Sequence, residues 1–200
     1  MDIQLSKLFI SDPEYIRKYK PSTYNGLCIF AKYKVISNSL PKDFSTNALL
    51  KKYYKNSFFD GLKIAVGKDQ LEYLHLLLCA ASEIEEDLAT EPEIIFDLAI
   101  DTKESINAMR FYCVSKSLFK RELTKQATCN ILWEYSYLWT WYLANRFVNG
   151  MTRNNGKNFR FFVSFDDWND GWQLHTFFSF IVFDISTNEF YLLVRNCDYN

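Results

Sequence analysis

The sequence has few of the residues from which metal sites, disulfide frameworks and catalytic centres are built. It contains two histidines, six glycines, four prolines and five cysteines, and no two cysteines form a CxxC pair. An odd number of widely spaced cysteines argues against a disulfide framework and against a zinc site. The catalytic patterns GxSxG and HExxH and the phosphate-binding glycine loops are missing as well. We therefore predict no catalytic residues, no metal and no cofactor.

An excess of one charge and a long apolar run are also missing. The net charge is −1 at pH 7, so the chain has no general attraction to nucleic acid or to an anionic membrane. The candidate for a membrane span, residues 129–148, includes Glu134 and Arg146, which are costly in hydrocarbon. The N-terminus lacks the basic stretch and apolar segment of a secretory signal. We predict a cytoplasmic protein with no membrane contact and no direct nucleic-acid partner.

What the sequence has in abundance is aromatic residues, which make up 18% of the chain. Apolar residues three or four apart recur between residues 45 and 148, a spacing that predicts helices. The longest helix is predicted over residues 123–148, and Asn149-Gly150 is a pair suited to end it. Its predicted inner stripe consists of Leu132, Tyr135, Trp139, Leu143 and Phe147. Its wetter face consists of Asn130, Glu134, Tyr137, Trp141 and Asn145.

After a polar loop that follows this helix, apolar residues alternate with a period of two. This alternation predicts three strands, over residues 159–165, 172–185 and 190–195. Short links between consecutive strands favour antiparallel pairing. The predicted fold class is α+β in a single domain over residues 1–200, with a mainly helical part in 1–150 and a three-stranded antiparallel β-meander in 157–196.

Two features of the predicted strands leave alternatives open. Residues 27–36 fit either a strand or a short helix. The middle strand of the meander is mostly apolar on both faces, with Phe180 and Val182 on one face and Ile181 and Phe183 on the other. A sheet with one wet face alternates more cleanly. Either helices cover both faces of this sheet, or one face meets a partner.

The strongest candidate site is an acidic and aromatic segment between the first two predicted strands. Tryptophan is enriched at the energetic centres of protein interfaces, and carboxylates beside it speed association with a basic partner. We predict that this segment binds a partner through Asp166, Asp167, Trp168, Asp170 and Trp172. The alternative is a hairpin loop whose tryptophans fold back over the sheet.

A second candidate site is the acidic stretch that runs from residue 83 to residue 93. Its carboxylates are closely spaced, and all of them except Glu93 lie before Pro92. Glu83, Glu85, Glu86 and Asp87 are the predicted partner-binding residues. The alternative is a solvated acidic linker. A basic set at Arg110, Lys116, Lys120, Arg121 and Lys125 is interpreted as solvated helix faces, because no nucleic-acid-binding module accompanies it.

A small chain rich in Phe, Tyr, Asn, Lys and Ile, with no catalytic motif and with acidic-aromatic segments at 83–93 and 166–172, resembles an immunity protein. Such proteins belong to bacterial toxin–immunity systems, including contact-dependent growth inhibition and other polymorphic toxins. The resemblance implies tight binding to one cognate toxin, commonly a nuclease whose basic active site is blocked. Carboxylates can take the place of phosphates there, and aromatic rings that of stacked bases.

Two other functions compete with this hypothesis. One is a small cytosolic enzyme that uses His175 together with a carboxylate. The other is an accessory protein of a phage or mobile element that assembles through its apolar sheet. Catalysis or self-association of the purified protein would distinguish them from binding to a toxin.

Overall fold

The computed structural model describes residues 3–8, 28–36, 40–41, 44, 64–84, 102–129, 137–153, 157–166 and 175–198. Within these ranges the chain forms seven strands and four helices. The strands are β1 (Leu5–Leu8), β2 (Cys28–Val35), β3 (Ile64–Ala65), β4 (Tyr112–Val114), β5 (Phe159–Ser164), β6 (His175–Asp184) and β7 (Glu189–Asp198). The helices are α1 (Lys68–Ile84), α2 (Thr102–Ala108), α3 (Lys116–Cys129) and α4 (Tyr137–Thr152).

The described strands form one antiparallel sheet in the order β1-β2-β7-β6-β5-β4-β3. Six of them have three residues or more, and β3 has two. The N-terminal strand β2 pairs with β7, with Cys28 opposite Arg195 and Lys34 opposite Glu189. The pairing of β2 with β7 therefore joins segments that are far apart in the sequence.

The predicted fold class, a mainly helical part in 1–150 followed by a three-stranded sheet in 157–196, is wrong. Four of the seven described strands, β1 to β4, precede residue 150. The strands β5, β6 and β7 are sequential neighbours, but β4 extends their sheet on one side and β2 on the other. The shortest strands, with two to four residues, are too short to display an alternating pattern. The sequence left residues 27–36 open as a strand or a short helix. The structure has a strand there, β2, in which the alternate residues Ala31, Tyr33 and Val35 are buried.

Helices cover both faces of this sheet. On one face Ile181 and Phe183 of β6 pack with residues of α1 and α2, including Leu74, Leu77 and Ile106. On the other face Phe180 and Val182 pack with residues of α3 and α4, including Phe119 and Phe147. Each side of β6 is therefore buried under its own helical layer. This arrangement explains the apolar residues on both faces of the middle strand.

The two helices of the second layer differ from the predicted helix over 123–148. The helix α3 ends at Cys129 and α4 begins at Tyr137, and residues 130–136 lie outside the described ranges. The predicted end at Asn149-Gly150 is wrong, because α4 continues to Thr152 and Arg153 takes the left-handed conformation with φ 42°. Burial of Met151 and Thr152 keeps this last turn helical despite Gly150.

A side-chain contact joins the two helices at this end of the layer. The Nζ atom of Lys116 donates a hydrogen bond to Oγ1 of Thr152 at 2.7 Å. The first turn of α3 thus lies beside the last turn of α4, and the two helices run in opposite directions. None of the described helices combines the length and the apolar character that a membrane span requires.

Candidate protein-binding site

The predicted acidic and aromatic segment begins with a carboxylate that is already engaged within the chain. Asp166 follows β5 and faces Arg110 in the connection between α2 and β4. The guanidinium donates from Nη2 to Oδ1 at 2.8 Å and from Nε to Oδ2 at 3.2 Å. The backbone N–H of Arg110 also donates to Oδ2. This bidentate contact, together with the hydrogen bond from the backbone N–H of Arg110, fixes the position of the Asp166 carboxylate.

The charges of this pair stabilise each other. Burial opposes the charged form of Asp166, but hydrogen bonds and the positive charge of Arg110 outweigh it and hold the pKa of Asp166 below its usual value. The same hydrogen bond raises the pKa of Arg110. Because this carboxylate is neutralised inside the chain, Asp166 anchors the segment and is a poor direct contact for a basic partner. The other predicted residues, Asp167, Trp168, Asp170 and Trp172, lie outside the described residues.

The second predicted site also begins with an engaged carboxylate. Glu83, near the end of α1, pairs with Lys103 of α2 at 3.0 Å between Oε1 and Nζ. Both side chains are more than half exposed, so the pair contributes little stability. It nevertheless joins the two helices of the first layer. Glu85, Glu86 and Asp87 lie outside the described residues.

The described histidine and buried cysteine have structural surroundings. His75 is 8% exposed, and its Nε2 atom donates to the carbonyl oxygen of Met109 at 2.8 Å. The thiol of Cys113 is buried, which raises its pKa to about 11 even though the charge of Arg160 opposes the rise. At neutral pH this thiol is protonated and a weak nucleophile. His175 belongs to β6, but its side chain lies outside the described set.

No metal-binding group is evident in the part of the chain that the structure describes. Among those residues, no three His, Cys, Asp or Glu side chains are grouped so that they could hold an ion.

The most unusual surface of the described residues lies on α4. Six large hydrophobic side chains in the described set are exposed, and five of them occupy the first six positions of this helix. They are Tyr137 (50% exposed), Leu138 (74%), Trp139 (42%), Trp141 (48%) and Tyr142 (41%). We refer to these five residues as the aromatic face. Such clustering of exposed apolar side chains is typical of an interaction site.

The aromatic face is held together by contacts within the helix. The rings of Trp139 and Tyr142 stack with their centroids 5.4 Å apart. Arg146 lies over the ring of Tyr142, with 5.7 Å between the guanidinium carbon and the ring centroid. Its Nη1 atom also donates to the Tyr142 hydroxyl oxygen at 3.0 Å. These contacts restrict the exposed rings before any partner binds, which reduces the entropy lost on association.

The aromatic face exists because the opposite side of α4 is the buried one. Leu143, Phe147 and Met151 pack against the sheet and α3, and Phe147 lies 5.1 Å from Phe30 between ring centroids. The predicted inner stripe is correct for Leu143 and Phe147 and wrong for Trp139, which is 42% exposed. A signal was available in the sequence: apolar residues occupy nearly every side of this helix, more than one buried stripe can absorb.

Comparisons with protein-family models, with curated protein sequences and with solved structures found no match to this chain.

Proposed function

We propose that this protein is a non-enzymatic immunity protein that binds a cognate antibacterial toxin in the cytoplasm and neutralises it by direct contact. The observation that supports this proposal most strongly is the aromatic face of α4, whose five side chains are 41% to 74% exposed. Tryptophan and tyrosine are the residues most often found at the energetic centres of interfaces. A partner that covers the aromatic face would remove a large apolar surface from water.

The acidic and aromatic segment supplies the second contact in this proposal. Asp167, Trp168, Asp170 and Trp172 follow an anchored Asp166, so the segment starts from a fixed point on the fold. A nuclease is the expected class of toxin, because its phosphate-binding cleft is positively charged and attracts carboxylates. Glu85, Glu86 and Asp87 are the secondary acidic contacts. Glu83 and Asp166 hold the scaffold through Lys103 and Arg110.

The test is protection of bacterial growth: the product of the gene that precedes this one in the native locus, which we expect to end in a toxin domain, is expressed with and without this chain. The parent chain should restore growth. The double variant Asp167→Lys/Asp170→Lys should lose about tenfold or more in affinity for the toxin, because two attractive charges become repulsive. The matched control is Glu72→Lys/Glu104→Lys, which reverses two exposed charges of the first layer and should protect fully.

The outcomes separate the proposal from its alternatives. Full protection by a folded Asp167→Lys/Asp170→Lys variant would show that the segment is not the interface. Failure of the parent chain to bind or protect would contradict the proposed function. Replacement of His175 by Ala should leave protection unchanged, and loss of protection by a folded His175→Ala variant would favour the enzyme alternative.

A further inference from the structure

Two polar side chains on the buried side of α1 have no hydrogen-bond partner in the part of the chain that the structure describes. Gln70 is 0% exposed, and both its amide nitrogen Nε2 and its amide oxygen Oε1 are unpaired there. Tyr73 is 4% exposed, and its hydroxyl is unpaired among the same residues. Buried amide and hydroxyl groups nearly always have a protein or water partner, because leaving them unpaired costs free energy. These three atoms therefore require a partner other than the described residues.

The two side chains lie on the same side of the helix. Residues three apart in an α-helix are neighbours, with about 5–6 Å between their Cβ atoms. Long side chains on a helix also lean toward its N-terminus, so Tyr73 leans toward the turn that contains Gln70. Leu74 and Leu77, which continue this side of α1, are 0% exposed. The Tyr73 hydroxyl and the Gln70 amide therefore share one buried region at the start of α1.

The aromatic rings that pack around Tyr73 cannot supply the missing hydrogen bonds. The centroid of the Tyr73 ring lies 5.2 Å from that of Phe44 and 6.3 Å from that of Phe183. Phe44 and Phe183 are both 0% exposed. Burial is the only cause that raises the pKa of the Tyr73 hydroxyl, to about 12. The hydroxyl is therefore protonated at neutral pH, and its ring is held by apolar neighbours.

We propose that Gln70 and Tyr73 form an internal binding site for ordered water, which bridges the Gln70 amide and the Tyr73 hydroxyl. Water can donate to Oε1 of Gln70 and accept from Nε2, and the Tyr73 hydroxyl can do either. Globular proteins contain about one buried water molecule per 27 residues, each with about three hydrogen bonds to otherwise unpaired polar groups. The three unpaired atoms of this site are of that kind.

Water fits these residues better than an ion does. The Gln70 amide has no charge, and the Tyr73 hydroxyl is neutral at pH 7 because its pKa is about 12. The charged residues of the same turns, Lys68, Asp69 and Glu72, are exposed. An ion taken into the interior needs a charged partner to offset the loss of its hydration. The site offers donors and acceptors without charge, which is what a water molecule requires.

The test compares the stability of variants that differ from the parent in these polar atoms. Tyr73→Phe removes the hydroxyl, and Gln70→Met replaces the amide with an apolar side chain of similar shape. If water bridges the two side chains, each substitution should raise the equilibrium constant of unfolding about tenfold, because it leaves the remaining polar group without its full set of hydrogen bonds. If the site is dry, each substitution removes an unpaired polar group and should lower that constant. Urea denaturation followed by circular dichroism measures it.

Two further measurements concern the water itself. In nuclear magnetic resonance of the parent, cross-relaxation should connect a long-lived water molecule with the side-chain amide protons of Gln70, and Tyr73→Phe should weaken this signal. The double variant Gln70→Met/Tyr73→Phe should lose less stability than the sum of the two single losses, because both substitutions act on the same water.

The matched control is Tyr137→Phe, which removes the same hydroxyl from a residue that is 50% exposed. It should leave the unfolding constant and the water signal at Gln70 unchanged. An unfolding constant that falls or stays the same in Tyr73→Phe and Gln70→Met would overturn the inference, as would additive losses in the double variant. Absence of the water signal at Gln70 in the parent would overturn it even if a variant fails to fold. Growth protection tests the proposed function separately, because this site lies inside the first helical layer.

Discussion

The two helical layers of this protein bury equivalent interiors and present different exteriors. Toward the sheet, α1 and α2 on one face and α3 and α4 on the other contribute mostly apolar side chains that are almost completely buried. Toward water, the described helices of the first layer expose no large hydrophobic residue, whereas α4 exposes five. Burial and exposure are thus divided between the two sides of α4: one side packs into the core, and the exposed side is the surface that we propose for a partner.

The largest effect should come from the buried side of either layer, where the two layers are expected to behave alike. Leu77→Ala in α1 and Phe147→Ala in α4 remove side chains that are 0% and 1% exposed. Each should lower the free energy of unfolding by about 2–5 kcal/mol, because a cavity adds to the lost apolar transfer energy. Urea denaturation followed by circular dichroism measures the change. If one substitution costs less than about 1 kcal/mol, that side chain does not contribute to the core between its layer and the sheet.

A smaller effect should come from a buried polar contact of the first layer, the hydrogen bond of His75 in α1. His75→Ala removes the hydrogen bond from Nε2 to the carbonyl oxygen of Met109 and leaves that oxygen buried without its partner. We expect a loss of about 1–3 kcal/mol in the free energy of unfolding. His75→Gln, which keeps a donor, should restore part of it. Equal stability of the Ala and Gln variants would show that packing and not the hydrogen bond matters at this position.

A third effect on stability should appear only in acid. It concerns the ion pair between Arg110, in the connection between α2 and β4, and Asp166, which follows β5. The pKa of Asp166 in the folded protein lies below its usual value, so its ion pair with Arg110 stabilises the fold above the unfolded pKa of about 3.9. That contribution is lost as pH falls through the lower, folded value. In Asp166→Asn the thermal midpoint should therefore decline less between about pH 5 and pH 2 than in the parent. Glu104→Gln is the control, and identical acid profiles for Asp166→Asn and the parent would contradict the role of the pair.

The smallest effect on stability should come from the aromatic face. Leu138→Ser/Trp141→Ser changes side chains that are 74% and 48% exposed, so the free energy of unfolding should stay within about 0.5 kcal/mol of the parent for each substitution. Thermal and urea unfolding measure this difference. A large loss of stability would mean that these side chains belong to the core, and the contrast between the two layers would disappear.

The parts of the fold that the sequence predicted are those with a long local pattern. The strands β5, β6 and β7 lie in the alternating segments after residue 157. The pairing of β2 with β7 joins Cys28 to Arg195 across the sheet, and no local pattern reports a hydrogen-bonding partner so distant in the chain. The fold class was therefore wrong because four strands before residue 150 are short, or ambiguous in period, and find their neighbours only in three dimensions.

The prediction of the candidate site was limited for the same reason, because a local sequence pattern does not show contacts between residues that are distant in the chain. The sequence displays the carboxylate of Asp166 but not the cation, 56 residues earlier, that neutralises it. Trp139 was assigned to the buried stripe because it lies four residues before Leu143, and this spacing alone does not show where along the helix the buried stripe ends. Tertiary packing decides which side of α4 faces water. Phe147 packs against Phe30, and Leu143 is buried between the sheet and the helices α3 and α4.

The pairing of β2 with β7 has a consequence for how the protein is made. On the ribosome β2 emerges before β7, which flanks it toward the centre of the sheet and is synthesised after every other described strand. Until then β2 has only β1 beside it, and its other edge stays open to other chains. A nascent or truncated polypeptide without β7 is therefore the form most exposed to aggregation and proteolysis. Termination before Glu189, the first residue of β7, should therefore abolish accumulation of the protein and not merely shorten it.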